Sequence, residues 1–568
     1  MSCPCRSDHP ARIQPDRPVY RITLLMTLVA AAAVQIYVIC DPDIVLGIAG
    51  EWQWSRHEFA EPLLAAISQF LPALVGMVVL YYVAAFGSSR LFQHNSRCVG
   101  DFEQQRLGPP AWVTAVFLTG LILASWLWIK TCERSSPALH RNLKSLWVLY
   151  DPASSGYFFE AAFRIDSTSE FLETYHDRML EGDVLHVGTH PPGLFLLNQL
   201  ALDTMEAVPG LIRPLSWLMI REDIDVFRGI EADAGLARRL TDNELSALFL
   251  TSELTTLGAA LTIIPLYYTI RCVFNAVVAW RAASLWATFP CLVIFLPKSD
   301  VLFTFTSMSA VCLGVLAYAP TTPPGRRLLQ AIGAGLFLWS GLMMSLAHLP
   351  VLASLGALCL IRIVRITLRK NGARSSIPAA IGSVVLVQVT ILTTVAGTAY
   401  GFSELTQCNM LDVWQQNLTN HAGFYDQSTR TYSQWLILNP IELGFSIGLP
   451  VAVVCVVGFF TALATRRTNA SGPNESLGID LSYALVGTVA ALWLSGRNSG
   501  EAARLWCFLT PWLLVLAAHI FRSEKRSDGL VNSAKIWKTL LFMQIIVCAL
   551  TAARVSGFTF SATLPPVF

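Results

Sequence analysis

Four segments far apart in the chain carry side chains able to move a proton or hold an anion. The first runs Trp147-Val-Leu-Tyr150-Asp151-Pro-Ala-Ser-Ser-Gly-Tyr157-Phe158-Phe159. A carboxylate set among aromatics can take a proton from a hydroxyl within hydrogen-bond reach; Asp-Pro-Ala-Ser equally has the form of a helix N-cap. The second is His186-Val-Gly-Thr-His190-Pro-Pro-Gly193. Pro-Pro-Gly is a rigid turn that sets His190 at a helix entrance. The free N–H groups there favour an anion such as phosphate, although a packing histidine fits the same pattern. The third is Pro297-Lys298-Ser299-Asp300, a cation and an acid at the head of an apolar run, or simply a pair anchoring that run. The fourth is Gly496-Arg497-Asn498-Ser499-Gly500-Glu501-Ala-Ala-Arg504-Leu-Trp506. Glu501 and Arg504, three apart, share one face of a helix. Ionisable groups beside apolar spans usually line a cavity, and an intra-helix ion pair is the structural alternative.

Other candidates are weaker. Glu173, His176 and Asp177 have metal-ligand types at helical spacing, but a solvated polar face explains them better, and no metal or other cofactor is expected. His421, Tyr425 and Asp426 lie among Trp414, Phe424, Tyr432 and Trp435; such aromatics stack on sugars or form interfacial belts. His348 reads as a packing residue. Most of the 13 cysteines fall in apolar runs, where Cys behaves as a small apolar residue. Cys3 and Cys5 read as part of a plain tail, and Cys132 and Cys408 share one side and are candidates to pair. There is no Walker-type phosphate loop or Rossmann glycine fingerprint.

These residues need a scaffold, and composition names its class. Of 568 residues 54% are apolar and 14% charged, against about 25% charged in soluble proteins. A net charge of +2 leaves no basic excess for a nucleic-acid backbone. The chain therefore reads as an all-α polytopic membrane protein. Windows long enough to cross a bilayer fall at 22–40, 62–86, 112–130, 246–270, 277–297, 301–319, 328–347, 350–366, 378–400, 442–464, 480–496, 505–521 and 536–554, about thirteen spans. The first reads as an anchor. With the N-terminus cytoplasmic, alternation puts 22 Lys and Arg in the inner segments and 6 in the short outer ones, the bias that sets orientation. All four segments above then face outward. The chain divides into 1–130 (tail and three spans), 131–244 (a large outer loop, partly helical), 245–400 (central spans), 401–441 (a second outer loop) and 442–568 (C-terminal spans). The large loop holds 18 acidic and 10 basic residues, and loops of such length are usually functional. The stretch 468–479 reads as a cytoplasmic linker. Asn417-Leu-Thr419 is an outward sequon, relevant only in a glycosylating host.

In order and sidedness these motifs resemble the GT-C superfamily of polytopic glycosyltransferases, in particular the branch of protein O-mannosyltransferases and lipid A aminoarabinose transferases. Asp151 with Tyr157-Phe158-Phe159 is similar to the acidic motif of that family's first large outer loop. His190-Pro-Pro-Gly193-Leu is similar to its basic-residue/Pro-Pro/Leu turn. Ala237-Arg238-Arg239-Leu240 leading to Pro297-Lys298-Ser299-Asp300, and Gly500-Glu501-Ala-Ala-Arg504 with Pro511, complete the likeness, which covers about 130–320 well and 480–515 loosely. The resemblance departs from the familiar pattern in two ways: the acidic loop follows the third span rather than the first, and one acid stands where several members have two.

The resemblance implies inverting transfer of a sugar from a polyprenyl-phosphate to a hydroxyl acceptor (glycan, lipid or protein) on the periplasmic or lumenal face. It implies Asp151 as general base. Arg504, Lys298 and His190, with Arg497 and Arg239 behind them, would take the donor phosphate. Glu501 and Asp300 would orient the cations, and Tyr157, His421 and Tyr425 would meet sugar or acceptor. A bacterial inner membrane is the expected setting. The alternatives are a transporter or flippase for a lipid-linked or small solute, a ligase or polymerase of O-antigen type taking a diphosphate-linked donor, and a non-enzymatic assembly subunit.

Overall fold

The computed structural model describes residues 18–58, 63–97, 109–136, 138–152, 154–181, 187–233, 238–368, 377–427, 430–467, 473–522 and 527–557. Cys3, Cys5 and His186 lie outside them. Nearly everything described is helix. Three helices open the chain: α1 (Pro18–Cys40), α2 (Leu63–Arg97) and α3 (Ala111–Arg134). Short helices follow: α4 (Ala138–Tyr150), α5 (Tyr157–Arg164), α6 (Thr168–Glu173), α7 (Tyr175–Leu180), α8 (Gly193–Ala207), α9 (Ile212–Leu218) and α10 (Arg221–Asp233). The central bundle holds α11 (Asp242–Leu261), α12 (Ile263–Val273), α13 (Ala276–Ala283), α14 (Pro290–Ile294), α15 (Ser299–Tyr318), α16 (Pro324–Met344), α17 (Leu349–Thr367) and α18 (Ile377–Thr406). Then come α19 (Met410–Gln427), α20 (Tyr432–Ile447), α21 (Leu449–Arg467), α22 (Pro473–Leu494), α23 (Ala502–Leu505), α24 (Thr510–Phe521) and α25 (Ser527–Arg554). Two-residue strands pair Gly47–Ile48 with Trp52–Gln53 and Ser55–Arg56 with Val555–Ser556, both antiparallel.

Among the described residues ten helices are long and apolar enough to cross a membrane, or eleven if the bent pair α20–α21 is one span. Two windows expected as spans differ in kind. Residues 276–297 are all buried, and they form α13, a 3-10 turn at Trp286–Thr288 and α14 rather than one helix. Broken backbone is tolerated at membrane depth only inside protein. Side chains from neighbouring elements meet its carbonyls: Lys144 Nζ donates to Val293 O and Gln544 Nε2 to Thr288 O at 3.2 Å. The window 505–521 is likewise a 3-10 turn followed by the 12-residue α24, mostly buried. The window 442–464 turns through 110° at Gly448, whose φ is +91° and whose missing Cβ would strike the Gln544 amide. Gln544 donates to Ile447 O at 2.7 Å. Gln35 accepts from Leu449 N–H at 2.7 Å and donates to Phe445 O at 3.0 Å. Two buried glutamines thus satisfy the backbone groups that the break frees. Of the expected linker 468–479, residues 468–472 lie outside the description and α22 already begins at Pro473.

The segment 131–244 has a core of its own: Trp147, Tyr150, Phe158, Phe159 and Phe227 pack with Leu240 and Leu248. Arg134 fastens it with two hydrogen bonds to Asp223. The single helix implied by the spacing of Glu173, His176 and Asp177 is broken at Thr174, so Glu173 and His176 fall on separate helices. Among the described residues no group of three His, Cys, Asp or Glu gathers to hold a metal ion. Cys132 lies against Cys548 rather than Cys408.

Candidate active site

Asp151 follows α4 instead of starting a helix. Its N–H bonds to Trp147 O at 2.7 Å, its carbonyl accepts from Ser154 and Ser155, and α5 begins only at Tyr157. The N-cap reading therefore does not apply. The Asp151 side chain is buried at 6% exposure and accepts from Ser154 Oγ at 2.7 Å.

Lys298 immediately precedes α15 and Asp300 stands in its first turn, where the helix dipole favours an acid. The Lys298 ammonium responds to the charges of Arg504, Asp300, Glu501 and Asp151. Burial first, then Arg504, pushes its pKa down to about 7. Arg504 reaches Glu501 at 2.6 Å and Asp300 at 3.9 Å, and it also lies in the field of Tyr157 and Glu442. Residues separated by some 350 positions thus meet at one end of the bundle. Arg504, Glu501 and Asp300 keep 20%, 13% and 17% side-chain exposure, so solvent still reaches the cluster.

His190 joins through Tyr157, its ring 5.3 Å away at 71°. Helix α8 does begin at Gly193, behind Pro191 and Pro192. A Cβ on Gly193 would stand 2.4 Å from Met343 O, so the close approach of this turn to α16 requires glycine. Tyr175 Oη donates to His190 O at 2.6 Å. The second outer loop clamps the same turn: Asn417 donates to Thr189 O, and Asn420 to Gly188 O and Met179 O at 2.9 Å each. Asn417, buried at 2% and so engaged, is not the open sequon acceptor that its sequence suggests. His421 sits half-buried on that clamping helix α19, and the Tyr425 side chain lies outside the described residues. Arg497 and Arg239 are exposed and are not drawn into the cluster. Arg238, next to Arg239 in the chain, pairs with Glu244 at 2.8 Å and lies over Phe163. His348 is fully buried, bonded to Thr306 Oγ1 at 2.8 Å and packed on Phe303 and Phe508, the packing role its position suggests.

Several supporting residues escape sequence reading. The loop before α23 winds through four left-handed residues: Gly496, Asn498, Gly500 and Glu501. Non-glycine residues in that region cost about 1–3 kcal/mol each. Helix α20 holds the loop in this shape. Asn439 Oδ1 accepts from Gly500 N–H at 3.3 Å, and Glu442 accepts from Ala502 N–H at 2.8 Å. Glu51, from the connection between α1 and α2, accepts from Thr431 N–H at 2.9 Å and Trp435 Nε1 at 2.7 Å, and its carbonyl takes Arg430 Nη1 at 2.7 Å. Thr431 is the main reason that the Glu51 carboxyl sits below its usual range. The only local signal for this device is the spacing Gly496-x-Asn498-x-Gly500, residue types that tolerate left-handed backbone.

No family model matches the chain, and no curated protein does. Among solved structures it is similar to the oligosaccharyltransferase of Archaeoglobus fulgidus. The form tethered to an acceptor peptide containing the NVT sequon matches with 13% identity and a TM-score of 0.43. The complex of AglB with an inhibitory peptide and a dolichol-phosphate matches with 12% and 0.44. Each match covers 79% of this chain and 57% of that one. The complex with Zn and sulfate gives 15%, 0.35 and coverages of 56% and 43%. The chain thus spans little more than half the length of the structures it resembles.

Proposed function

We propose that this protein is a membrane glycosyltransferase of GT-C type. It moves a sugar from a polyprenyl-phosphate donor to a hydroxyl acceptor at the outer face, with inversion. One observation carries the reading: the buried carboxylate Asp151 lies within electrostatic range of Lys298, and Lys298 in turn adjoins the ion-paired cluster of Arg504, Glu501 and Asp300. In the proposed step the acceptor oxygen attacks the anomeric carbon while Asp151 takes its proton. The bond to the phosphate oxygen breaks, and the lipid phosphate leaves with the electron pair. Lys298 and Arg504 offset the charge that it gains, the kind of stabilisation that is strongest where it is already oriented. Asp300 and Glu501 fix the Arg504 fork. Tyr157 and His190 form an aromatic wall beside it. The strained loop that presents Glu501 is the structural expense of placing Arg504.

The test is sugar release or transfer from a panel of polyprenyl-phosphate sugars by purified protein. One donor is turned over by the wild type. Asp151→Asn lowers that turnover by about 10²–10⁴, the usual worth of a general base, while melting stays unchanged because the amide oxygen still accepts from Ser154. Turnover unaltered in a folded Asp151→Asn protein would remove Asp151 from the chemistry. No turnover or binding of any monophosphate donor would transfer the reading to diphosphate-linked donors or to transport.

A further inference from the structure

At the far end of α15 from the candidate active site lies a second polar recess, unused by the proposed reaction. It is a cavity of about 280 Å³ lined by Tyr318, Arg327, Arg362, Arg365, Ser383 and Ser476, among others. Three guanidinium groups face it. The nearby carboxylate Asp480, fully buried, bonds to Arg365 Nε at 2.7 Å and lies 3.6 Å from Arg362 Nη1. The next acid, Glu475, is engaged by Arg522. The walls therefore carry more positive than negative charge. Arg327 is braced by Thr322 O at 3.1 Å and by the Ser383 hydroxyl, and its buried Nε has no hydrogen-bond partner among the described residues.

A second cavity of about 290 Å³ adjoins the first and shares Arg327, Ser383 and Val387 with it. Its other walls include Leu328, Ala331, Leu386 and Thr390 from α16 and α18, almost all apolar. Leu328 and Leu386 are 45% and 57% exposed, so the groove opens on the apolar flank of the bundle. The cationic recess lies where α15 and α17 end and α16, α18 and α22 begin. In a chain spanning the bilayer, that is the headgroup layer.

We propose that this pair of cavities binds one anionic phospholipid: the arginines and serines hold its phosphate and an acyl chain lies in the groove between α16 and α18. Arginine forks suit phosphate oxygens, and cationic pockets between spans take anionic headgroups. A free phosphate would satisfy the recess and leave the groove without a role; the continuity of the two favours lipid. This site is separate from the proposed transfer reaction and does not rest on it.

The test uses full-length protein purified in neutral detergent and stripped of lipid, with bound lipid counted by native mass spectrometry. Phosphatidylglycerol binds one per chain, at least tenfold tighter than phosphatidylcholine with the same acyl chains. Arg327→Gln weakens it about tenfold. Gly382→Trp, placed where a Cβ meets open space, blocks the groove and expels the lipid even if the arginine variant folds poorly. Millimolar inorganic phosphate does not compete. Equal retention of both lipids, or wild-type retention by folded variants, overturns the proposal. Displacement by inorganic phosphate, with phosphate still bound in Gly382→Trp, would replace the lipid with a soluble phosphate ligand.

Discussion

Lys298 has a pH-dependent part in the proposed reaction. Burial and Arg504 push its pKa down to about 7, so above pH 7 the resting recess loses a positive charge. A donor phosphate favours the ammonium form and pulls the proton back. Donor affinity is therefore flat below about pH 7 and weakens above it, by up to about tenfold per pH unit, with one proton taken up on binding. Titration calorimetry in buffers of different ionisation enthalpy reads that proton directly. In Lys298→Arg the proton uptake disappears while binding persists; uptake unchanged in that variant would assign it to another group. The charged residues gathered here were legible in the sequence by type and place: Asp151, His190, Lys298, Asp300, Glu501 and Arg504 stood out as ionisable groups beside apolar runs. Their supports did not. Glu51 meets Trp435 across 384 positions, and neither residue is unusual in its own neighbourhood. Arg497 and Arg239 looked equivalent to Arg504 by type, yet only burial separates them from it.

Helix breaks do the positioning, and each depends on a few polar side chains. Gln544 bonds to the carbonyls of Ile447 and Thr288, so Gln544→Leu leaves two buried acceptors bare. At roughly 1–3 kcal/mol for each unsatisfied group, that variant loses about 2–6 kcal/mol, measurable as a lower thermal midpoint in detergent; an unchanged midpoint would show that the break needs no such support. Glu51 fixes the start of α20 in a different way. Hydrogen bonds from Thr431 hold its carboxyl below the usual range, so this anchor is complete above the unfolded value of about 4.5 and is lost as pH falls through the lowered folded value. Amide exchange at Thr431 should accelerate in Glu51→Ala at neutral pH, and in the wild type only under acid. The breaks also set two of the expected windows apart from the unbroken helices. Windows 277–297 and 505–521 are as apolar as true spans because protein surrounds them, and apolarity does not distinguish a lipid neighbour from a protein one. Ser284, Pro290 and Pro297 within the first, and Pro511 within the second, were the available signs of interruption.

Across the whole molecule, α15 connects two unlike ends. Its 20 residues span about 30 Å, close to the thickness of a hydrocarbon core. Asp300 at its start belongs to the candidate active-site cluster, and Tyr318 at its finish lines the arginine-rich recess. Other contacts sort the same way. Ser55–Arg56 pairs with Val555–Ser556, and Glu51 meets Thr431, among connections expected outside. Ser88 and Ser533, both bonded by Arg281 from the window 277–297, and Arg522 with Glu475 lie among those expected inside. If the Lys and Arg bias sets orientation, the Asp151 end faces away from the cytoplasm. Added cysteines test this: Ser495→Cys beside the strained loop and Arg326→Cys at the opposite end, both at exposed positions, with Cys3, Cys5, Cys98 and the partly exposed Cys40 and Cys272 replaced by serine. A membrane-impermeant maleimide added to sealed spheroplasts labels the first and spares the second until the membrane is opened. The reverse pattern would put the proposed reaction on the cytoplasmic side, where a donor carried on the outer leaflet does not reach it.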